Sequence, residues 1–424
     1  MKNMKKYALV FVSVFAAVYA QAAQQIMGST DKNSYRCGEE IVFTFDVKGD
    51  NPDVVRKVQW ELRGDSEISE SGKADVAQGA SFEVKTTGTR PGFVHVNAHI
   101  LGEDGRRADR RDMRWQASAG VEPENIRGAD EPDDFDAFWA RQKQRLAGTP
   151  WKEGVKREKV DVVNAKFDIY RLSVPAPGPR PATAHMLVPK NAGPDAKVGV
   201  SLTFEGYGWG GRIWPNPDWY GTGEIVIGVN AHGFELGRDE EYNKEFERSV
   251  TAKGMYGFVR EENEDPETTY FNGMILRGLR MIEYAKTLPE WDGKNLKVGG
   301  GSQGGFQALV MAGLDGDVTS ADANVPWLCD MGGRAKLGRW GGWQPDYTAA
   351  LEYYDPVHHA ARIPETCKVY ISRNGMGDVT CTPSGVYAVY NNVRGPKRMR
   401  MVQGSEHGDW GGMPAGTQEF VVED

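Results

Sequence analysis

Ser302 stands in Gly300-Gly301-Ser302-Gln303-Gly304-Gly305, a GxSxG segment. An apolar run at 296–298 precedes it, and Phe306-Gln307-Ala308-Leu309-Val310-Met311, which reads as helical, follows. A serine driven into a sharp strand-to-helix turn needs neighbours without bulk at i−2 and i+2, and glycine supplies both. The helix that follows aims N–H groups at developing negative charge. That is the geometry of an acyl-transfer nucleophile. A hydroxyl attacks a carbonyl only when a base takes its proton, so a carboxylate and a histidine must follow in the order Ser, Asp or Glu, His. Three histidines lie beyond Ser302. His358 and His359 precede the strand expected at 367–372 and read as structural or surface residues. His407, in Gly404-Ser405-Glu406-His407-Gly408 just past a strand at 398–402, is the base. Asp378, on the loop after the 367–372 strand, is the carboxylate that fixes the histidine tautomer. Asp355 and Asp330 are rivals that fall before that strand, Asp355 as a local cap, and Asp409 follows the histidine too closely. The oxyanion that forms needs two donors. Gln303 N–H supplies one. Tyr207 N–H, in the glycine-rich Glu205-Gly206-Tyr207-Gly208-Trp209-Gly210-Gly211, supplies the other.

These residues need a scaffold that brings strand ends together. From about 133 onward strands and helices alternate: a helix at 133–146, strands at 198–204 and 224–230, a helix carrying Phe271, Ile275, Leu279 and Ile282, the 296–298 strand and a helix at 383–391. Such alternation predicts an α/β fold, a mostly parallel central sheet covered on both faces with the chemistry at the strands' carboxyl ends. The 398–402 strand is expected to be the final one. Residues 24–118 read differently. Ile41, Phe43, Phe45 and Val47 alternate with more polar residues, as do Val94, Val96, Ala98 and Ile100, and turn signals separate these runs. They predict a small all-β, immunoglobulin-like sandwich domain at 24–118, joined by a breaker-rich linker at 119–132 to the α/β catalytic domain at 133–424. The sandwich itself names no function; a spacer and a glycan-binding module are both compatible with it.

Composition narrows the partners. The chain has 424 residues, 40% hydrophobic and 26% charged, and a net charge of −8. That is a packed globular protein with no basic excess to neutralise phosphates, so nucleic acid is not an expected partner. Lys2, Lys5 and Lys6 precede an apolar run at 7–18 and Ala20-Gln21-Ala22, the pattern of a signal peptide cleaved after residue 22. A secreted or periplasmic protein without stable membrane insertion is expected. Cys37, Cys329, Cys367 and Cys381 have no metal-site spacing. One bridge among the last three is compatible with export, the pair being left open. No HExxH and no carboxylate-rich calcium loop occurs, so neither a metal nor a cofactor is called for. Trp209, Trp214, Trp219, Trp327, Trp340, Trp343 and Trp410 gather near the proposed mouth. Of these Trp209, Trp214, Trp327 and Trp410 are the candidate substrate contacts, as stacking faces for sugar rings.

The set Gly206-Tyr207 with Gly210-Gly211, the Gly300–Gly305 segment, Asp378 with Cys381-Thr382-Pro383-Ser384 and Tyr390-Asn391, and then His407 resembles the acetyl xylan esterase and cephalosporin C deacetylase group, carbohydrate esterase family 7. The likeness begins near Asp133-Asp134-Phe135-Asp136-Ala137-Phe138-Trp139. It implies an α/β-hydrolase that removes acetyl groups from acetylated oligosaccharides, polysaccharides or small molecules without a cofactor. Ser302, Asp378 and His407 fall on that family's triad, and Tyr207 and Gln303 on its oxyanion positions. Two departures stand out: His232-Gly233-Phe234 replaces the family's Arg-Gly-Gln, and Gly408 replaces a glutamate after the base. They leave open the substrate preference and whether the chain forms the family's hexamer or any homo-oligomer. A serine peptidase on the same fold and an inactive glycan-binding protein are the two other readings of these residues.

Overall fold

The computed structural model describes residues 26–107, 114–209, 216–407 and 418–423. The expected signal segment, Trp214, Gly408 and Trp410 lie outside them. Eight strands come first: β1 (Ile26–Ser29), β2 (Ser34–Tyr35), β3 (Glu40–Val47), β4 (Val55–Gly64), β5 (Ser69–Ala77), β6 (Ser81–Thr87), β7 (Gly92–Leu101) and β8 (Arg114–Val121). They form two small sheets, ordered β1-β3-β6 and β2-β8-β7-β4-β5. All pairs are antiparallel except the short β2–β8 pair. Ile41, Phe43 and Phe45 from one sheet and Val58, Leu62, Val96 and Ala98 from the other meet in a common core. The period of two in β3 is that of a strand with one buried face. In β7, Val94, Val96, Ala98 and Ile100 point into this core as expected, yet Phe93, His95 and His99 are buried as well. Their face packs on the C-terminal part of the chain: Phe93 against Tyr387 and His95 stacked on Trp340.

The boundary expected at 119 moves. β8 holds its pairing to Val121, opposite Gly92. Beyond it, Asn391 Nδ2 donates to the carbonyls of Pro123 and Ile126, each at 2.9 Å, and Ala129 N donates to Asp330 Oδ1 at 2.8 Å. The breaker-rich stretch is therefore anchored along its length.

Ten further strands make one sheet: β9 (Lys156–Lys159), β10 (Phe167–Val174), β11 (Ala182–Pro189), β12 (Val198–Phe204), β13 (Glu224–Val229), β14 (Trp291–Gly301), β15 (Ser320–Asn324), β16 (Lys368–Gly375), β17 (Lys397–Gln403) and β18 (Gln418–Glu423). Their order is β18-β17-β16-β15-β14-β12-β13-β11-β10-β9. The six central strands run parallel; β9, β10, β11 and β18 attach antiparallel at the edges. The 398–402 segment lies within β17 and is not the last strand, since β18 returns beside it.

The helices are α1 (Phe135–Ala147), α2 (Glu240–Val250), α3 (Tyr270–Ala285), α4 (Gln303–Leu314), α5 (Gly333–Leu337), α6 (Pro356–Ala360) and α7 (Pro383–Asn392). Of these α1, α3, α4, α6 and α7 touch one another in a continuous layer. Val200, Leu202 and Phe204 of β12, Leu296 and Val298 of β14, and Ala321 and Ala323 of β15 enter the core this layer shares with the sheet. The residues between them, Ser201, Thr203, Lys297, Ser320 and Asp322, point to the opposite face and line an open groove. Among the described residues the expected cover on both faces is met over β10, β11 and β13, where Phe167, Leu187 and Val226 form a second small core, and not over β12, β14 and β15, whose residues alternate apolar and polar.

Candidate active site

Ser302 lies at the junction of β14 and α4 with φ 54° and ψ −113°, a backbone that L-residues adopt only under constraint. Its N–H donates to Asn324 O at 2.9 Å, and its carbonyl accepts from Phe306 N and Trp327 N, each at 3.0 Å. The neighbouring strand explains the glycines. A Cβ on Gly300 would lie 2.4 Å from Phe204 O, and one on Gly304 would lie 2.1 Å from the same atom. The elbow can form only where the chain on both sides of the serine is bare.

Asp378 follows β16 and is fully buried. Its Oδ1 accepts from Thr380 N at 2.7 Å and Cys381 N at 2.9 Å, which fixes the carboxylate plane, and its Oδ2 lies 2.9 Å from His407 Nδ1. With Nδ1 held by the carboxylate, Nε2 is the ring nitrogen left to take a proton. The loops carrying the two residues are laced together: Met376 N donates to Val402 O at 2.9 Å and Gly377 N to Ser405 O at 3.1 Å. A Cβ on Gly375 would lie 2.1 Å from Glu406 O, so the crossing of the two loops is as tight as the elbow.

Ser302 and His407 share no hydrogen bond in this state. Cys381 is buried beside Asp378, Cys329 and Ser302. Burial and the Asp378 carboxylate push the Cys381 thiol well up, which keeps it protonated. Cys381, Asp378 and His407 each place one ligand atom within 4.8 Å of the others, the set of described residues with donors suited to a soft divalent cation. Cys381 is tied to the Asp378–His407 pair through its own N–H, which donates to Asp378 Oδ1.

Tyr207 and Gln303 are brought together across the elbow by a tyrosine that sequence reasoning missed. The Tyr207 ring stacks on that of Tyr256 with centroids 4.1 Å apart. Tyr207 Oη donates to Tyr256 O at 3.0 Å and accepts from Tyr256 N at 2.9 Å. Tyr256 Oη in turn donates to Gln303 Oε1 and accepts from Gly208 N, both at 2.9 Å. Burial pushes both phenols up, Tyr207 to about 12, so both act as neutral hydroxyls. The backbone N–H groups of Tyr207 and Gln303 have no acceptor among the described residues, the latter because it opens α4. Tyr256 sits in Lys253-Gly254-Met255-Tyr256-Gly257, a loop without period or motif, and only its hydrogen bonds reveal it.

His232 holds the same loop. It is fully buried, with Nε2 2.7 Å from Gly208 O and Nδ1 2.8 Å from Tyr270 Oη. The tautomer that satisfies both donates from Nε2 and accepts at Nδ1. Behind it, Arg277 donates to Ala231 O at 2.5 Å, its guanidinium pushed down to about 9 by burial and by Arg180. The departure at 232–234 thus puts a hydrogen-bonding support under the Tyr207–Gly208 loop.

Among the candidate aromatics Trp209 is half-buried and stacks on His232, centroids 4.2 Å apart. Trp327 is fully buried: its Nε1 donates to Trp343 O and its ring stacks beneath Trp343. It stands in the core directly after the elbow's partner strand, where it backs Trp343 and presents no surface of its own. Trp343, 37% exposed and 4.8 Å edge-on to Tyr207, is the surface of that stack. Trp340 contacts His95, and Trp219 lies elsewhere, on the groove. All four cysteines are free, the last three buried, so no bridge among them is made. His358 and His359 are buried against Phe135, and Asp355 caps α6 through Val357 N at 2.9 Å and accepts from Asp330 N at 3.0 Å. Asp330 pairs with Arg339. These rivals are used in packing.

A parallel sheet presenting a strained serine ahead of a helix, with an aspartate and a histidine on the next loops, is the layout of an α/β-hydrolase. Two solved structures share this fold. The acetyl xylan esterase from Paenibacillus sp. R4 superposes with a TM-score of 0.56 at 22% identity, covering 68% of this chain and 93% of its own. Acetyl xylan esterase 1 from Thermoanaerobacterium sp. JW/SL YS485 does so with a TM-score of 0.52, also at 22% identity, covering 68% and 92%. The family model for acetyl xylan esterase matches residues 124–338 and 344–421. The acetyl esterase Axe7A of Xylanibacter ruminicola is 31% identical over 390 residues, 88% of this chain and 84% of that protein. The chain belongs to the acetyl xylan esterase family and is a carboxylic ester hydrolase.

Proposed function

We propose that the protein is an exported serine esterase that removes O-acetyl groups from carbohydrates through an acyl-enzyme. Asp378 bonded to His407 beside the elbow that carries Ser302 is the observation that supports this most strongly. His407 Nε2 takes the Ser302 proton as Oγ bonds to the acetyl carbon, and the carbonyl oxygen gains charge against the Tyr207 and Gln303 N–H groups. Collapse breaks the carbon–oxygen bond to the sugar, whose oxygen takes the proton from His407. Water, deprotonated by the same imidazole, then attacks the acetyl-serine and releases acetate. Family membership and the Axe7A likeness support an acetylated carbohydrate as substrate. The Lys2–Ala22 pattern supports export of a chain cleaved after residue 22. The two sheets before Val121 are read as an immunoglobulin-like sandwich packed on the hydrolase, in contact with its base loop through Gln116 and Glu406. Acetate release tests the proposal: incubation with acetylated xylan should free acetate. No release from acetylated xylan or acetylated sugars, with an aryl acetate still turned over, would reject the substrate class.

A further inference from the structure

The sheet face that the helices leave open carries a groove of about 870 Å³. The charges along the groove are opposed: Lys297 Nζ lies 3.0 Å from Glu224 Oε2, and Arg373 acts electrostatically on Asp322. The third acid of the lining, Glu205, accepts from Ala231 N at 3.2 Å, so the groove holds no free cationic side to draw an anion and its acids are engaged within the protein. What remains is a lining of uncharged donors and acceptors, Ser201, Thr203, Asn216, Ser320 and Asn324.

One wall is a turn that presents an indole. Trp219 is 79% exposed, an unusual position for so large an apolar side chain. The turn is pinned: Asn216 Oδ1 accepts from Asp218 N at 3.0 Å, and Lys166 Nζ donates to the carbonyls of Pro217 and Tyr220 at 3.4 Å. Tyr220 packs into a small core with Phe167 and Val226. Trp219 is thus held out to solvent on an anchored segment. A fixed aromatic face beside a row of hydroxyls and amides is the chemistry that binds a neutral, polyhydroxylated chain. The groove ends at the reaction centre: Gly301 and Asn324 line it, Gly301 precedes Ser302, and Asn324 O accepts from Ser302 N.

Resting on the carbohydrate esterase reading, we propose that this groove is a binding site for the sugar backbone of an uncharged glycan, with Trp219 as its stacking platform. The chain lies along the open face of the sheet and leads its acetylated units toward Ser302.

The test needs no turnover. The full chain carrying Ser302→Ala is titrated with unacetylated xylohexaose by calorimetry, alone and with Trp219→Ala or Ser201→Tyr added; the second variant fills the floor of the groove. Saturable binding that weakens about tenfold or more in both variants is expected, from loss of a stacking face or of the space itself. No binding by the parent, or equal binding by both variants, would overturn the proposal and leave the acetate-release test of the esterase standing. A change of oligomeric state in Trp219→Ala, with glycan affinity kept, would make the groove an interface between copies and would overturn it too.

Discussion

Tyr256→Phe removes one oxygen atom and should separate the esterase's catalytic geometry from its fold. That oxygen accepts from Gly208 N and donates to Gln303 Oε1, both at 2.9 Å, so it is the link between the oxyanion loop and the first residue of the nucleophile helix. The site is buried and water cannot replace it. Each polar group orphaned in such a place costs about 1–3 kcal/mol. Two orphans give a loss of roughly 2–4 kcal/mol after relaxation, to be shared between stability and the transition state. Relaxation means that the Tyr207 loop drifts from Gln303. Deleting an oxyanion donor costs about 10²–10³ in kcat, and misplacing one should cost about 10–100-fold. With p-nitrophenyl acetate we expect kcat to fall by that factor with KM within about twofold, since the donors act on charge that exists only in the transition state. The melting temperature should fall by roughly 1–3 °C, the remainder of the loss spread over so long a chain. A variant that melts lower yet keeps kcat within about twofold of the parent would refute the role given to Tyr256 and place this bond in the fold alone.

Gly304→Ala sets a methyl 2.1 Å from Phe204 O, which no rotamer can relieve, so β12 and α4 must part. We expect a cost of about 3 kcal/mol and loss of aryl acetate hydrolysis, read by thermal melting and initial rates; a fully active, fully stable variant would contradict the elbow geometry. Stability should also fall on acidification. Burial holds His185 down to about 4 and His359 down to about 3 from an ordinary 6.5. Between those values the unfolded chain binds the protons and the native chain does not, so stability present above about 6.5 is lost as the pH falls toward 4. Asp355, pushed up to about 6 chiefly by burial, acts in the opposite sense, as do Asp322, Asp330, Glu262, Glu283 and His358, all raised but displaced less than the two histidines. The urea midpoint should therefore be lower at pH 4.5 than at pH 7, and equal midpoints would refute this.

The residues that carry chemistry were legible because each is tied to a backbone necessity. Ser302 needs glycines beside it, and the histidine and its carboxylate must follow successive strands, so motif and order singled out all three as candidates, of which the structure joins Asp378 and His407 by a hydrogen bond. The helix Tyr270–Ala285 and the strand Val198–Phe204 were visible in their periods for the same reason. What was missed depends on contacts between distant segments. Tyr256 and Gln303 are 47 positions apart, and Gln116 meets Glu406 across 290. No local pattern records such pairs. Trp327 backs Trp343, and a tryptophan near a mouth and one behind it have the same letter. The open face of the sheet was readable: in Val200-Ser201-Leu202-Thr203-Phe204 every second residue is polar, which a strand buried on both sides would not show. Cys381 was quoted with its neighbours, but its contact with Ser302 could come only from the fold of the Asp378 loop.

The central claim, that Ser302 is a nucleophile activated by His407 and Asp378, is tested most directly by covalent labelling. The parent chain is treated with a fluorophosphonate, digested, and mapped by mass spectrometry, alongside His407→Ala and Ser302→Ala. A single adduct on the peptide containing Ser302, much slowed in His407→Ala and absent in Ser302→Ala, is predicted. An adduct on another residue, or labelling of Ser302 at the parent rate without His407, would contradict it.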